Sequence, residues 1–265
     1  MRVTVCELPC EPRQLASSWS ALCQHAKEVR SDVVVLPEFA FASPVWEVAE
    51  FDWVLWNAAE ATNKRWVLRL PELPVAFVIG TGPVTRDGRP YDEGFLWSQE
   101  NGYVPLRRKY LLPDEPRGWE ARWFARGDPA FPRFAAGDLY FGLNICTELW
   151  ALETYEHYAS LDVHAVVSPR ATSASTKNNW LAVSTVAAVR TGAFCLSSNL
   201  VDPDGSYGGA GWIVSPDGEV LVKTSEQAPF CTCDIDLTAS LEAQHTYPRY
   251  VFASSTKHRA CTDGV

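Results

Sequence analysis

The chain of 265 residues is 47% hydrophobic and 21% charged, the composition of an ordinary globular protein, and fits a single domain over residues 1–265. Its formal net charge of −9 argues against nucleic acid as a partner, since that binding wants a basic face, and no run reaches the roughly 20 apolar residues of a membrane-spanning helix. The eight cysteines are scattered along the chain, so reduced thiols in a cytoplasmic protein are expected rather than a disulfide scaffold.

The N-terminus, Met1-Arg2-Val3-Thr4-Val5-Cys6-Glu7, reads as a strand and holds no apolar stretch long enough for a signal peptide. A helix is expected over Gln14–Val29 with Ser17 or Ser18 near its start, then a strand at Val33–Leu36 and a helix over Val45–Asn63. Strands follow at Ala76–Gly80 and Phe95–Ser98, with Asp87-Gly88 as a hairpin signal between them. Tyr140–Cys146 reads as a strand, Ala151–Ala159 as a helix, Ala165–Ser168 as a strand and Asn178–Thr191 as an Ala-rich helix. The last strands are Phe194–Asn199, Gly211–Val214, Glu219–Val222 and Phe230–Ile235. Ser215-Pro216-Asp217-Gly218 turns the chain between two of these, Pro presetting one turn residue and Gly accepting positive φ. Strands and helices alternate early and hairpins are interposed. The strands read as apolar runs, so the pattern argues for an α/β layered protein with mixed sheets covered by helices.

Three positions on this framework could carry chemistry. Cys146 follows an apolar strand and precedes a turn into a helix. Such a turn fixes a thiol, and its backbone N–H groups can lower the thiol's pKa and receive negative charge. Glu38 follows Val33-Val34-Val35-Leu36-Pro37, and a carboxylate leaving a buried strand is desolvated, which suits it to take protons. Lys109 follows Leu106-Arg107-Arg108 and precedes Tyr110-Leu111-Leu112-Pro113; a buried cation there could stabilise an oxyanion. Each also has a plainer reading: a packed core cysteine, a glutamate leaving the core, a solvated basic cluster. Cys231-Thr232-Cys233 lacks the second pair that a zinc site needs, so buried free thiols are the expectation and no metal is assigned.

In this order and spacing the three segments resemble the nitrilase superfamily of carbon–nitrogen hydrolases, and the resemblance covers nearly the whole chain. Val33–Phe39 resembles the family's first motif, which implies Glu38 as general base. Arg108-Lys109-Tyr110-Leu111 resembles the second, which implies Lys109 as oxyanion-stabilising lysine. Gly142-Leu143-Asn144-Ile145-Cys146-Thr147-Glu148 resembles the third, which implies Cys146 as nucleophile. A second family glutamate lies in the loop after the lysine; Glu120 matches it, with Glu115 as rival. The implied fold is a four-layer α-β-β-α sandwich with two mixed β-sheets.

The resemblance implies hydrolysis of a small amide or carbamoyl compound through a cysteine thioester, with no metal or organic cofactor. Thr147 follows the nucleophile where nitrile-cleaving members tend to carry Trp, so the sequence is closer to the amidase and carbamoylase branches. A nitrilase, or a silent scaffold of the same fold, is the alternative. Arg170 could clamp a substrate carboxylate or pair with Glu148 to brace the cysteine turn. Tyr110 and Trp119, with Trp123 and Trp150, are candidates for the pocket lining, and the N–H of Thr147 for the oxyanion. A homodimer is expected through the helices Ala151–Ala159 and Asn178–Thr191. The tail from Tyr247 to Val265 is a segment that in related proteins often crosses to a partner.

Overall fold

The structure is a computed structural model and describes residues 1–252; the expectation for the tail beyond residue 252 lies outside the described residues. It begins with β1 (Arg2–Pro9), α1 (Pro12–Val29), β2 (Val33–Val35), α2 (Trp53–Val67), β3 (Phe77–Arg86), β4 (Arg89–Ser98) and β5 (Gly102–Arg108). Then come α3 (Glu120–Trp123), β6 (Arg133–Ala136), β7 (Leu139–Leu143), α4 (Glu153–Ser160), β8 (Ala165–Arg170), α5 (Lys177–Thr191) and β9 (Phe194–Val201). The chain continues through β10 (Trp212–Val214), β11 (Val220–Lys223), β12 (Phe230–Asp234) and α6 (Leu237–Ala243).

The strands follow the order β5-β4-β3-β2-β1-β9-β8-β7-β6, and the sheet folds over at β1. The first part of β1, Val3–Val5, pairs in parallel with β2, while Glu7–Pro9 pair in parallel with β9. One strand therefore belongs to both halves and sets them face to face. β12 pairs with the first part of β1, and β10 joins β9 to β11.

Strand alternation sorts side chains between two layers. Val3, Val5, Val33, Val35 and Ile79 point into a core shared with Leu139, Phe141 and Leu143 of the opposite half. Their neighbours Cys6, Leu8, Val34, Leu36 and Val78 point outward and are covered by Leu15, Trp19, Leu22 and Ala26 of α1. On the far side, Tyr155 and Tyr158 of α4 and Val183, Ala187 and Ala188 of α5 cover the second half. This is the α-β-β-α sandwich expected from the sequence. No helix of the described residues is long and apolar enough to cross a membrane, and the seven described cysteines are free.

Several elements differ from expectation for local reasons. α1 starts at Pro12, capped by the Glu11 carboxylate on Gln14 N–H at 2.8 Å, so Ser17 lies within the helix and bonds back to the Gln14 carbonyl. The expected helix over Val45–Asn63 is split into a short 3-10 turn at Val45–Glu47 and α2. Asp52 caps α2 through Val54 N–H at 2.6 Å, and the Val48 carbonyl accepts from the Trp123 indole at 2.6 Å instead of continuing a helix. The helix expected at Ala151–Ala159 is present as α4, shifted to Glu153–Ser160, and a 3-10 turn over Cys146–Trp150 precedes it. β5 and β6 were not expected as strands, and each is an edge of the order.

Candidate active site

The ends of β2, β5 and β7 converge at one end of the sandwich. β2 delivers Leu36-Pro37-Glu38, β5 delivers Lys109 as the next residue, and β7 delivers Asn144-Ile145-Cys146. The turn holding Cys146 is fixed from several sides. Asn144 N–H donates to the Val167 carbonyl at 2.9 Å, and its amide donates to the Glu148 carbonyl at 2.9 Å and to the Thr154 hydroxyl at 3.0 Å. Tyr158 O–H donates to the Asn144 side-chain oxygen at 2.9 Å. Cys146 itself adopts φ +47°, the left-handed region that a side chain rarely takes. Such strain at a candidate nucleophile is the kind found at active sites.

A pairing of Glu148 with Arg170 is one of the two roles open to that arginine from the sequence, and the structure gives Glu148 a different partner. Its carboxylate forms a two-pronged ion pair with Arg107, one prong a short Nη1–Oε2 contact and the other Nη2–Oε1 at 3.0 Å. It also accepts from Ile145 N–H at 2.9 Å and Tyr110 N–H at 2.7 Å. Glu148 thus ties the cysteine turn to the strand end that carries Lys109. Arg170 is fully buried and aims elsewhere: it donates to Ser197 Oγ, Thr172 Oγ1 and the Ala210 carbonyl, all within 2.8 Å, and lies over the Trp212 ring. Burial pushes its pKa down to about 10. Neither expected role of Arg170, substrate clamp or partner of Glu148, matches this placement.

Lys109 is the hub. Its ammonium lies 2.7 Å from Glu38 Oε1 and 2.6 Å from Glu120 Oε2, all three side chains being buried. Its peptide is pinned as well, the N–H to the Asp92 carbonyl at 2.9 Å and the carbonyl to Gly127 N–H at 2.9 Å. Of the two rival glutamates, Glu120 reaches Lys109, while Glu115 stands exposed at the cleft rim. Burial works against the charge of Lys109, but Glu120, Glu38, Cys146 and Asp92 outweigh it and hold the ammonium well above its ordinary pKa. Burial, with Glu38 adding to it against the pull of Lys109, raises Glu120 to about 8. Cys146 also departs from expectation. Burial first, then the charges of Glu38 and Glu120, push its thiol well above its ordinary value despite Lys109. The resting thiol therefore keeps its proton and needs a neighbouring base to act as a nucleophile.

Cys146 and Glu120 open onto a cleft of about 850 Å³ whose walls include Trp46, Thr147, Trp180 and Tyr207. Tyr110 and Trp119 do not line it. Tyr110 faces a separate groove beside Phe131 and His157, and Trp119 is stacked under Arg122 with its N–H on the Trp46 carbonyl. Trp150, at 47% exposure, stands at the cleft mouth against Trp180. Sequence reasoning missed the Arg107–Glu148 clamp, the buried carboxyl Asp92 and the wall residues Trp46 and Tyr207. Arg107 had a signal, two residues before a buried lysine; Tyr207 had none.

The site thus brings a pinned thiol, a buried ammonium and two buried carboxyls together at one cleft. The carbon-nitrogen hydrolase family model matches residues 2–243, and the chain belongs to that family. A search of curated proteins finds no match. Among solved structures, a carbon-nitrogen hydrolase from Helicobacter pylori G27 is similar at TM-score 0.82 and 19% identity, over 94% of each chain. A CN-hydrolase superfamily protein from Xanthomonas campestris, with an arsenic adduct in its active site, is similar at TM-score 0.74 and 14% identity, over 94% of this chain and 95% of that one. A mutant of the amidase from Nesterenkonia sp. AN1, with the acetamide moiety of fluoroacetamide added covalently at its active-site cysteine, gives TM-score 0.74 and 16% identity. That match covers 91% of this chain and 92% of the other. The chain thus shares the nitrilase-superfamily fold.

Proposed function

We propose that this carbon–nitrogen hydrolase cleaves a small linear amide or carbamoyl compound through a thioester on Cys146. The observation that carries the reading is the Lys109 ammonium held between Glu38 and Glu120, at 2.7 and 2.6 Å, beside Cys146. Glu38 removes the thiol proton as Sγ attacks the carbonyl carbon. The oxyanion that forms is stabilised by Lys109 and by Thr147 N–H, one such donor being worth ~3 kcal/mol in the transition state. Glu38 returns the proton to the nitrogen, the C–N bond breaks, and ammonia or an amine leaves. Water, giving a proton to Glu38, then attacks the thioester and releases the acid and the thiol. Glu120 keeps Lys109 oriented.

The covalent adduct on the cysteine of the Nesterenkonia amidase supports this reading. So does Thr147 after the nucleophile, in place of the Trp common in nitrile-cleaving members. The working unit we propose is a homodimer, paired through the face carrying α4 and α5.

The test is ammonia release over a panel of short amides, carbamoyl amino acids and nitriles, with intact-mass spectrometry of the enzyme during turnover. Release from amides or carbamoyl compounds with an acyl adduct on the wild type, and neither with Cys146→Ala, is expected. Turnover that persists in Cys146→Ala rules the mechanism out.

A further inference from the structure

One buried carboxyl beside the site has no part in the scheme above. Asp92 lies in β4 at 1% exposure. The β4–β5 register pairs Glu93 with Arg108 and extends to Asp92 opposite Lys109, where Lys109 N–H donates to the Asp92 carbonyl at 2.9 Å. Residues paired across antiparallel strands send their side chains to the same face, about 5 Å apart at Cβ. The Asp92 carboxyl therefore stands beside the stem of Lys109.

The lysine is then surrounded by three carboxyls, those of Glu38, Glu120 and Asp92. Glu38 and Glu120 take its ammonium. Thr81 of β3 faces Asp92, and Tyr103 of β5 lies within its electrostatic reach, but neither Asp92 oxygen makes a well-formed hydrogen bond among the described residues. A carboxylate buried with only the Thr81 hydroxyl facing it, next to two other carboxyls, is costly enough that the group keeps its proton. We propose that Asp92 is a positioning residue of this site: a carboxylic acid, protonated at neutral pH, that packs against Lys109 without drawing its ammonium away from Glu38 and Glu120. Burial, and then the charge of Glu38, hold the Asp92 carboxyl well above the usual carboxylate range, with Lys109 opposing them. Ionised, Asp92 would compete for the ammonium and pull it off the oxyanion position.

The protonation half of the proposal needs no turnover, whereas its effect on rate rests on the hydrolase reading above. Infrared difference spectra of the wild-type chain minus Asp92→Asn separate the two. At neutral pH the difference should show the C=O stretch of a protonated carboxyl, Glu120 cancelling because both proteins contain it. Carboxylate bands in its place overturn the proposal. If the amide panel turns over, Asp92→Asn should keep kcat within about threefold of wild type, and folded Asp92→Leu should lose at least about tenfold in kcat with KM little changed. The wild-type kcat should fall in alkali as the acid band disappears, and Asp92→Asn should lack that decline. Wild-type kcat in a folded Asp92→Leu, or identical alkaline profiles of wild type and Asp92→Asn, overturn it.

Discussion

Glu148 and Arg107 meet with side-chain exposures of 0% and 3%, and removing one partner of such a pair leaves the other charge uncompensated. Glu148→Gln keeps the shape and part of the hydrogen bonding but strands the guanidinium, so a loss of about 3–5 kcal/mol is expected in urea unfolding. Turnover should fall with it, because the same carboxylate holds Ile145 N–H and Tyr110 N–H on the two sides of the site. A loss below about 1 kcal/mol, the size of an exposed pair, would contradict the role given to the clamp. Glu120 supplies a second test at this scale. Its folded pKa, about 8, lies above its ordinary 4.5. The folded chain therefore holds a proton that the unfolded chain releases as pH rises through that window. Its contribution to stability is fully present below 4.5 and is lost as pH climbs through about 8. Glu120→Gln removes this titration while the other buried groups remain. The melting temperature of the wild type should drop more between about pH 5 and pH 8 than that of Glu120→Gln; equal drops would place the titration elsewhere.

At the scale of elements, the strand that delivers the cysteine is set by a close approach. A Cβ on Gly142 of β7 would lie 2.4 Å from the ring of Tyr158, whose hydroxyl holds Asn144 and through it the cysteine turn. Gly142→Ala should cost about 1–3 kcal/mol by overpacking and lower kcat with it. Truncating Tyr158 as well should relieve the clash, so the two losses should not add; additive melting shifts would show that the ring is not the obstacle. This contact was not legible in the sequence, because it joins residues from a strand and a later helix. What was legible had a local signature: the apolar runs of β1, β2, β7 and β8, those of β2 and β7 ending just before Glu38 and Cys146, and the helical stripe of α1. β5 and β6 escaped notice because edge strands face solvent on one side and carry mixed residues, as in Tyr103-Val104-Pro105-Leu106 and Arg133-Phe134-Ala135-Ala136. α2 began late because its start was decided by the Asp52 cap and by an indole from a distant segment. The convergence of Glu38, Lys109 and Cys146 was suggested by their order along the chain, but the partner of Arg170 was not. A buried guanidinium can be satisfied by hydroxyls and a carbonyl, which leave no charge pattern to read.

For the whole molecule, the outer face over α4 and α5 is where the proposed homodimer is tested. Trp150 at 47%, Leu152 at 56% and Val186 at 43% exposure lie on the 3-10 turn after Cys146, the start of α4, and α5. Arg190 of α5 pairs with Glu156 of α4 at 2.7 Å, so the two helices lie side by side on this face. Apolar residues grouped on a rigid face mark an interaction site more than scattered ones do, and a homodimer through that face would be two-fold symmetric, each patch meeting its own copy. Trp150 lines the cleft mouth, so pairing here would also bury part of the cleft rim. Sedimentation equilibrium at micromolar concentration should give twice the mass of one chain. Leu152→Glu with Val186→Glu should return it to one, because two charges brought to the centre of a symmetric interface face their own copies. Both side chains are exposed in the single chain, so the variant should keep its fold by far-ultraviolet circular dichroism. Its turnover should then change through the rim at Trp150 and not through the buried cluster around Lys109. A wild type that sediments as one chain, or a double variant that still sediments as two, would move the interface elsewhere or remove it.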